Sequence, residues 1–258
     1  MNLVAPAEAP LAATSLSGRR RLVALGNFFF RWRNGMFPLV FVPLWLLSRP
    51  RPAFGSSLAD AALDLAGFAV ALSGQLLRAG AIGYVYIVRG GKNRRLHAED
   101  LVQEGMFALT RNPLYAGNFL IVLGLFTMIF SPLGYGVGVP FFALAYLAIV
   151  AAEEAYLLHK FGGVYADYCR RVPRFFPSLG ALRKALAGHR FDWRRLARKE
   201  YGTTFTWVAL ALGIVARERL AAGGWKGARP GLEWVLAGFA ALAGAYGTLR
   251  FLKKTQRL

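Results

Sequence analysis

Residues 111–130 read RNPLYAGNFLIVLGLFTMIF, a basic and polar start that passes directly into an apolar run. Pro113 suits the first turn of a helix, where its missing N–H costs nothing, and Asn112 before it is a natural N-cap. A helix needs about 20 apolar residues to cross the hydrocarbon core of a bilayer, and this run is near that length. The stretch therefore predicts a membrane helix that begins at a polar surface.

The composition extends this prediction to the whole chain. The 258 residues are 56% hydrophobic, with a mean hydropathy of +0.39, yet they carry a net charge of +19. These values conflict in a soluble domain, whereas a membrane protein with basic loops has both. A protein that binds nucleic acid would also be basic, but it would not need several near-continuous apolar spans. We therefore expect an all-α, polytopic transmembrane helical bundle with no nucleic-acid partner.

The apolar runs divide the chain into about five or six membrane spans. They lie at about 35–48, 58–88, 114–130, 135–158, 203–220 and 232–249. The first is short and contains Pro38 and Pro43, so whether it crosses is left open. Residues 1–17 are predicted to be a disordered tail. The stretch from Leu22 to Arg33 mixes aromatic side chains with arginine, which is typical of a segment lying in the membrane interface.

This pattern predicts four parts of the chain. They are an N-terminal tail and interfacial segment (1–34), a membrane core (35–177), a basic amphipathic cytoplasmic segment (178–202) and a C-terminal helical hairpin in the membrane (203–258). The oligomeric state and the role of the hairpin are not predicted by the pattern.

The distribution of lysine and arginine predicts which ends face the cytoplasm. Of the 32 basic residues, 25 fall in segments 1–35, 89–112, 158–202 and 250–258, and 6 fall in the loops between the other ends of the spans. Cytoplasmic loops carry the excess of positive charge. Both termini and both long polar segments are therefore predicted to be cytoplasmic, and the Ala-, Arg- and Gly-rich composition favours a bacterial inner membrane.

Charged residues at the cytoplasmic ends of the spans are candidates for a ligand site, because charge in a membrane helix is costly. The free amides of the helix that begins at Pro113, with Arg111 beside them, would attract a carboxylate or a phosphate. Glu153 and Glu154 are adjacent and point about 100° apart on a helix, so one can bind a ligand while the other pairs with an arginine. The alternative is that both acids are solvated at the interface.

Two further residues within the spans allow two interpretations each. Arg78 lies deep in the second span, so it should face the bundle interior and pair with an acid or a ligand, unless it extends to the nearer interface. Gly117 leaves one helix face bare, either for a ligand or for a neighbouring helix.

Several short motifs from about Arg78 to Pro177 resemble one family of membrane enzymes, the isoprenylcysteine carboxyl methyltransferases and phospholipid methyltransferases. The matching elements are Leu101-Val102 with Gly105, Arg111-x-Pro113-x-Tyr115-x-Gly117, Glu153-Glu154, Phe161-Gly162, Tyr165, Tyr168 and Val172-Pro173-Arg174-Phe175-x-Pro177. The resemblance implies a cytoplasmic pocket for S-adenosylmethionine and a lipid or other hydrophobic acceptor that arrives from the bilayer. Asn112 stands where the family usually has histidine. Because asparagine cannot act as a base near neutral pH, this position is predicted to bind and align rather than to transfer a proton.

The resemblance also implies roles for individual residues. Cofactor binding is assigned to Arg111, Asn112, Pro113, Tyr115, Gly117, Glu153, Glu154, Tyr165 and Tyr168. Catalysis is assigned to Arg171, Arg174 and Glu154, and acceptor binding to Arg78 and Arg174. Arg171 and Arg174 suit an anionic acceptor, although they would equally be present as ordinary positive-inside residues. No metal site is predicted, because the chain has one cysteine and no Cys/His spacing typical of metal ligands.

Two other functions agree with part of the same pattern. Membrane sterol and steroid reductases share a similar Arg-x-Pro-x-Tyr element and would bind NADPH. The basic stretch 183–199 is expected to hold anionic lipid headgroups, beside catalysis or, in a non-catalytic protein, as its whole function. The tandem Glu153-Glu154 and the Pro173-Arg174-Phe175 ending favour the methyltransferase. The identity of the acceptor, and whether an oxygen or a nitrogen is methylated, are left open.

Overall fold

The computed structural model describes residues 9–85, 96–177, 180 and 182–256. Residues 1–8 of the predicted tail and the first part of the predicted cytoplasmic segment 89–112 lie outside the described residues. The described helices are α1 (Ala9–Leu47), α2 (Ser57–Tyr84), α3 (Pro113–Ile129), α4 (Val139–Arg171), α5 (Leu182–Leu186) and α6 (Trp193–Lys254). No strand occurs among these residues, so the predicted all-α class is confirmed.

The lengths and hydropathies of the helices are those of a membrane bundle. Three helical segments are long and apolar enough to cross a bilayer, namely Ser57–Tyr84, Gly134–Arg171 and Trp193–Lys254, and the apolar helix α3 is shorter. The second of these segments combines α4 with a π-helical turn, Gly134–Gly138, that leads into it. Helices α2 and α3 follow the predicted spans at about 58–88 and 114–130 closely, and the prediction of a helical membrane bundle is confirmed.

Helix α6 folds back on itself and forms the C-terminal hairpin. Its backbone reverses at Gly224 (φ 57°, ψ −169°), a conformation that glycine adopts without a steric penalty. The two arms pack together where the rings of Phe205 and Tyr246 approach to 4.5 Å. Helix α6 begins at Trp193, capped by Asp192, and therefore runs through residue 202, where the sequence pattern placed a boundary between two parts of the chain. The first arm continues without a break from the basic segment into the bundle.

Helix α1 also differs from its prediction. It begins at Ala9, inside the predicted tail, and continues to Leu47. In the stretch from Leu22 to Arg33, Phe29 packs edge-on against Phe141 of α4 with 5.8 Å between ring centroids, so one face of this stretch belongs to the bundle. Gly26 brings α1 directly against the backbone of Ala148 in α4. The small glycine and the buried phenylalanine turn this face of the helix toward the bundle.

Helices α2 and α3 pack antiparallel through two pairs of glycines. A Cβ atom on Gly67 would lie 2.6 Å from the carbonyl oxygen of Gly124, and a Cβ atom on Gly117 would lie 2.6 Å from that of Gly74. Small residues permit such close backbone contact between membrane helices. Of the two interpretations of Gly117, the structure therefore supports the neighbouring helix, and the assignment of Gly117 to cofactor binding remains a prediction.

Contacts between chain segments show which helix ends lie together. At one end of the bundle, the amide of Asp192 donates to the carbonyl of Gly83 over 2.8 Å, which places the start of α6 beside the end of α2. At the other end, Arg217 donates to the carbonyls of Trp45 and Leu46 over 2.7 and 2.8 Å. The described parts of the two segments predicted to be cytoplasmic lie at the same end.

Replacing Gly124 with alanine should destabilise the bundle, because the new methyl group would collide with the backbone of Gly67 and lie 2.6 Å from the amide nitrogen of Ala71. Overpacking of this kind costs about 1–3 kcal/mol. Thermal unfolding in detergent measures the effect. Gly244→Ala is the control, since a Cβ at that position of α6 would meet no atom within 4 Å. Equal melting temperatures for the two variants would contradict the glycine contact.

Candidate functional site

A cavity of about 850 Å³ lies between α1, α3, α4 and the first arm of α6. Its polar end is lined by Arg111, Asn112, Tyr115 and Glu153, beside the start of α3. Further along the bundle its walls become apolar. That part is lined by Phe37, Phe41, Ile121, Val122, Leu125, Phe142 and Leu210. This volume falls within the range of ligand-binding pockets, which is about 300–1,000 Å³.

The cavity opens to the outside between α1 and α6. Three of its lining residues are exposed, and they are Asn34 and Pro38 on α1 and Thr206 on α6. Below this level the two helices close together, where the indole of Trp45 approaches Gly213. The opening is therefore on the side of the bundle, at the height of Asn34.

The polar end of the cavity is held by two loop segments that pair with each other. The amide of Arg111 donates to the carbonyl of Pro173 over 2.9 Å. The side-chain amide of Asn112 and the hydroxyl of Thr110 both donate to the carbonyl of Arg174, over 3.1 and 3.2 Å. The pairing fixes the backbone just before α3, so the two motifs singled out in the sequence form one structural unit.

Asn112 occupies the N-cap position of α3, as predicted, but its side chain does not cap the helix. Its Nδ2 group donates a hydrogen bond to the carbonyl of Arg174 instead, and its Oδ1 atom is buried without a hydrogen-bond partner. Pro113 fills the first helical position. The predicted start of the helix is therefore confirmed, whereas the predicted capping bond is absent.

The two adjacent glutamates separate in the way that their helical spacing predicts. Glu153 is only 4% exposed and lines the cavity. Glu154 turns away and forms ion pairs with Arg111 (Nη1–Oε1, 3.2 Å) and Arg174 (Nη2–Oε2, 2.6 Å). One acid therefore faces the space where a ligand would bind, while the other fixes the arginine beside it.

Arg111 keeps its charge in this setting. Partial burial acts to lower the pKa of its guanidinium, but the Glu154 carboxylate and the nearby Cys169 thiol outweigh burial and raise the pKa above its ordinary value. Nη1 of Arg111 also lies 2.6 Å from the Cys169 sulfur. Its Nε atom is buried and has no hydrogen-bond partner, so this donor remains for a ligand.

Arg78 is buried in the bundle and pairs with Glu200 of α6. Its Nε and Nη2 atoms donate to the two carboxylate oxygens over 2.9 and 2.6 Å. Nη1 donates to Oδ1 of Asn118 over 2.6 Å. The prediction that Arg78 faces the interior and pairs with an acid is confirmed. Its assignment to acceptor binding remains a prediction, although the residue does line the cavity.

Several residues assigned to the site lie outside the lining of the cavity. Arg171 is exposed and donates to Gln103 over 2.9 Å. Tyr165 and Tyr168 are buried in a separate apolar cluster, where the Tyr168 hydroxyl donates to the carbonyl of Phe107 over 2.7 Å. Gly162 (φ 53°) bends α4 just before them, so this last part of the helix leaves the line of Glu153. Arg174 is linked to the cavity through the ion pair of its side chain with Glu154 and through its carbonyl, which accepts from Asn112.

Sequence reasoning missed four residues of the site, which are Arg33, Asn118, Tyr146 and Glu200. Glu200 is an acid that directly follows a strongly basic stretch, and this position in the sequence could have marked it as a candidate partner for a buried arginine. Arg33 was grouped with an interfacial segment. The described residues contain no group of three or more His, Cys, Asp or Glu side chains placed to bind a metal ion.

Glu200→Gln should destabilise the protein more than removal of the whole ion pair. The single change leaves Arg78 buried without a counter-charge, which costs about 3–5 kcal/mol. Arg78→Met combined with Glu200→Met removes both charges and should recover most of the loss. Thermal unfolding in detergent of both variants and the wild type measures this order. A double variant less stable than Glu200→Gln would refute it.

Comparisons with known proteins bear on the middle of the chain. Residues 66–163 match the family described as phospholipid methyltransferase. A cobalt-zinc-cadmium resistance protein of Cupriavidus metallidurans is 34% identical over 162 residues, covering 62% of this chain and 70% of that protein. No solved structure matches the chain.

Two plant and fungal enzymes are also similar. A protein-S-isoprenylcysteine O-methyltransferase of Arabidopsis thaliana is 28% identical over 124 residues, covering 43% of this chain and 57% of that protein. The protein-S-isoprenylcysteine O-methyltransferase of Schizosaccharomyces pombe is 33% identical over 113 residues, covering 40% of this chain and 45% of that protein. The match thus spans about half the length of these two relatives. Together with the helical bundle, these matches show that the chain belongs to the family of membrane methyltransferases that includes the phospholipid and isoprenylcysteine methyltransferases.

Proposed function

We propose that this protein transfers a methyl group from S-adenosylmethionine to a lipid or other hydrophobic acceptor at the cytoplasmic face of a bacterial inner membrane. The observation that carries the proposal is the cavity, which joins a charged end to an apolar interior. A polar cofactor and a lipid-like acceptor need these two environments side by side. The excess of basic residues at the charged end supports its cytoplasmic position.

The residues at the charged end fit S-adenosylmethionine by their chemistry. Buried polar atoms without partners are rare in folded proteins, and two of them, Arg111 Nε and Asn112 Oδ1, belong to residues that line this end. Arg111 and the helix start suit the cofactor's carboxylate, and Glu153 suits its ammonium group or ribose hydroxyls. Tyr115 and Tyr146 present aromatic rings to the same space, with 6.2 Å between centroids, and suit its sulfonium.

When bound, S-adenosylmethionine supplies an electrophilic methyl group. The protein's contribution is alignment and exclusion of water, since methyl transfer is an in-line displacement. Glu153, Arg111 and Tyr115 would hold the donor, and the apolar walls would hold the acceptor. In this proposal Glu154 and Arg174 are positioning residues, because they act on Arg111 and do not themselves line the cavity.

Glu153→Gln should weaken binding of S-adenosylmethionine about tenfold or more, because it removes a charge-assisted hydrogen bond worth about 1.5–3 kcal/mol. Calorimetric titration of the purified protein in detergent measures the dissociation constant. Glu233→Gln is the control, since Glu233 is exposed on the second arm of α6. The control should bind like the wild type.

The same titration with NADPH tests the alternative functions. Binding of NADPH without S-adenosylmethionine would point to a reductase. Binding of neither would refute both enzymatic functions and leave a lipid-binding protein. Unchanged affinity in Glu153→Gln would show that this carboxylate does not contact the cofactor.

The acceptor class can be found by labelling. Membranes that contain the protein, incubated with methyl-labelled S-adenosylmethionine, should yield label in the organic-soluble fraction, because the acceptor is expected to be lipid-like. Mass spectrometry of that fraction identifies the product. Membranes that carry the Glu153→Gln variant are the control and should lose most of the signal. Label confined to water-soluble products would contradict a hydrophobic acceptor.

A further inference from the structure

The α6 hairpin carries a cluster of exposed basic side chains at the end opposite its turn at Gly224. This basic cluster comes from both arms of the hairpin, and its members are Arg194, Arg198, Lys199, Arg250, Lys253 and Lys254. The arms are joined here, because Nζ of Lys253 donates to the carbonyl of Arg198 over 3.2 Å and lies 5.0 Å from the ring centroid of Tyr201. Basic residues 55 positions apart in the sequence therefore share one surface.

Acidic side chains do not neutralise the basic cluster. In the described parts of the chain, none of its six members lies within ion-pair distance of a carboxylate. The basic residues near the end of α4 differ in this respect, since Arg170 pairs with Asp167 and Arg174 pairs with Glu154. The positive charge of the hairpin end is therefore available to an anion from outside the protein.

Two pairs within the basic cluster also repel one another. Arg194 and Arg198 are four residues apart on the first arm, and Arg250 and Lys254 are four residues apart on the second. Like charges at this spacing lie side by side and destabilise a helix. An anion bound beside each pair would remove this repulsion.

The surroundings of the basic cluster are those of a membrane interface. Trp193 and Phe251 are largely exposed, and each is adjacent in sequence to a member of the cluster. Exposed aromatic rings beside basic residues are typical of the level of the lipid headgroups. No charged side chain occurs in residues 234–249, which span about 24 Å as a helix, close to the thickness of the hydrocarbon core. Arg250 therefore begins the part of the second arm that leaves the bilayer.

The structure separates the basic cluster from other residues of the basic stretch 183–199. Arg195 faces the bundle, where it pairs with Asp192 over 3.1 Å and donates to the carbonyl of Ile82 over 3.4 Å. The stretch is thus not one continuous lipid-facing surface. Its outward residues combine instead with the second arm, which lies about 50 residues further along the chain.

We propose that the basic cluster binds the phosphate groups of anionic phospholipids in the adjacent membrane leaflet and that this binding holds the two arms of the hairpin together. Groups of about four to eight lysines and arginines next to a membrane helix are typical of such recognition. The first arm also carries Glu200, the partner of Arg78, so a lipid bound here would stabilise one wall of the cavity. The inference does not depend on methyl transfer.

The test uses the full-length protein purified in an uncharged detergent. Dioleoylphosphatidylglycerol and dioleoylphosphatidylcholine serve as probes, because they have the same acyl chains but only the first has a net negative charge. Native mass spectrometry measures the dissociation constant of each lipid. The wild type should bind the anionic lipid about tenfold or more tightly, as expected when two or more basic side chains contact one headgroup. The anionic lipid should also raise the melting temperature more, since a ligand of the folded state stabilises it.

The variant that combines Arg194→Gln, Arg198→Gln, Arg250→Gln and Lys254→Gln should bind the two lipids with nearly equal affinity. Its fold should persist, because none of these four side chains makes a hydrogen bond or an ion pair with a described residue. Thermal unfolding without lipid checks this. Arg250→Gln with Lys254→Gln is a milder variant that should lose part of the preference.

The matched control removes the same charge from exposed positions on α1. It combines Arg19→Gln, Arg20→Gln, Arg21→Gln and Arg31→Gln. These arginines are not part of the hairpin, so the control should keep the preference of the wild type for the anionic lipid.

Three results would overturn the inference. Equal affinity of the wild type for the two lipids would show that the headgroup charge is not recognised. Equal losses in the hairpin variant and the α1 control would show attraction by net charge alone. Displacement of the anionic lipid by inorganic phosphate at the same concentration would show a site for a soluble anion. The titration with S-adenosylmethionine tests the proposed function separately, so the failure of one can be told from the failure of the other.

Discussion

The ion pair between Arg78 and Glu200 joins the three helices on which one side of the cavity depends. Both side chains are almost fully buried, so each needs the other to offset the loss of hydration. Gln75 donates to the same carboxylate and accepts from the indole of Trp207, which extends the network along α6. Gly117 gives the network its space, because any side chain there would collide with Arg78. The close packing at Gly117 thereby helps to position the Arg78 side chain.

The two ends of the cavity are built by different forces. At the polar end, hydrogen bonds donated by the backbone and side chains of residues 110–112 to the carbonyls of residues 173–175 combine with the ion pairs of Glu154. Directional bonds of this kind fix donors and acceptors for a polar ligand. The apolar end is formed by aromatic packing between α1 and α4, such as the edge-on contact of Phe37 with Phe142 at 5.1 Å.

The spacing of residues along the sequence predicted those features that depend only on neighbouring residues. The start of α3 follows from Pro113, and the separation of Glu153 from Glu154 follows from helical geometry. Pairings between distant segments were beyond such reasoning, because nothing in the spacing relates Glu200 to Arg78. Arg33 was misplaced for a similar reason. Alternating aromatic and basic residues are typical of an interface, and only the packing of α1 against α4 reveals that this arginine faces a cavity.

The residues proposed to bind the methyl donor and those at the opening of the cavity lie in different parts of the chain. The residues proposed to hold the donor lie at the start of α3 and on α4, inside the region that matches the family. The opening of the cavity, by contrast, is bordered by α1 and α6, which lie outside that region. An acceptor that enters from the bilayer would meet Asn34, Pro38 and Thr206 before it reaches the donor. A shared core could therefore retain one methyl donor while the flanking helices determine which acceptor is admitted.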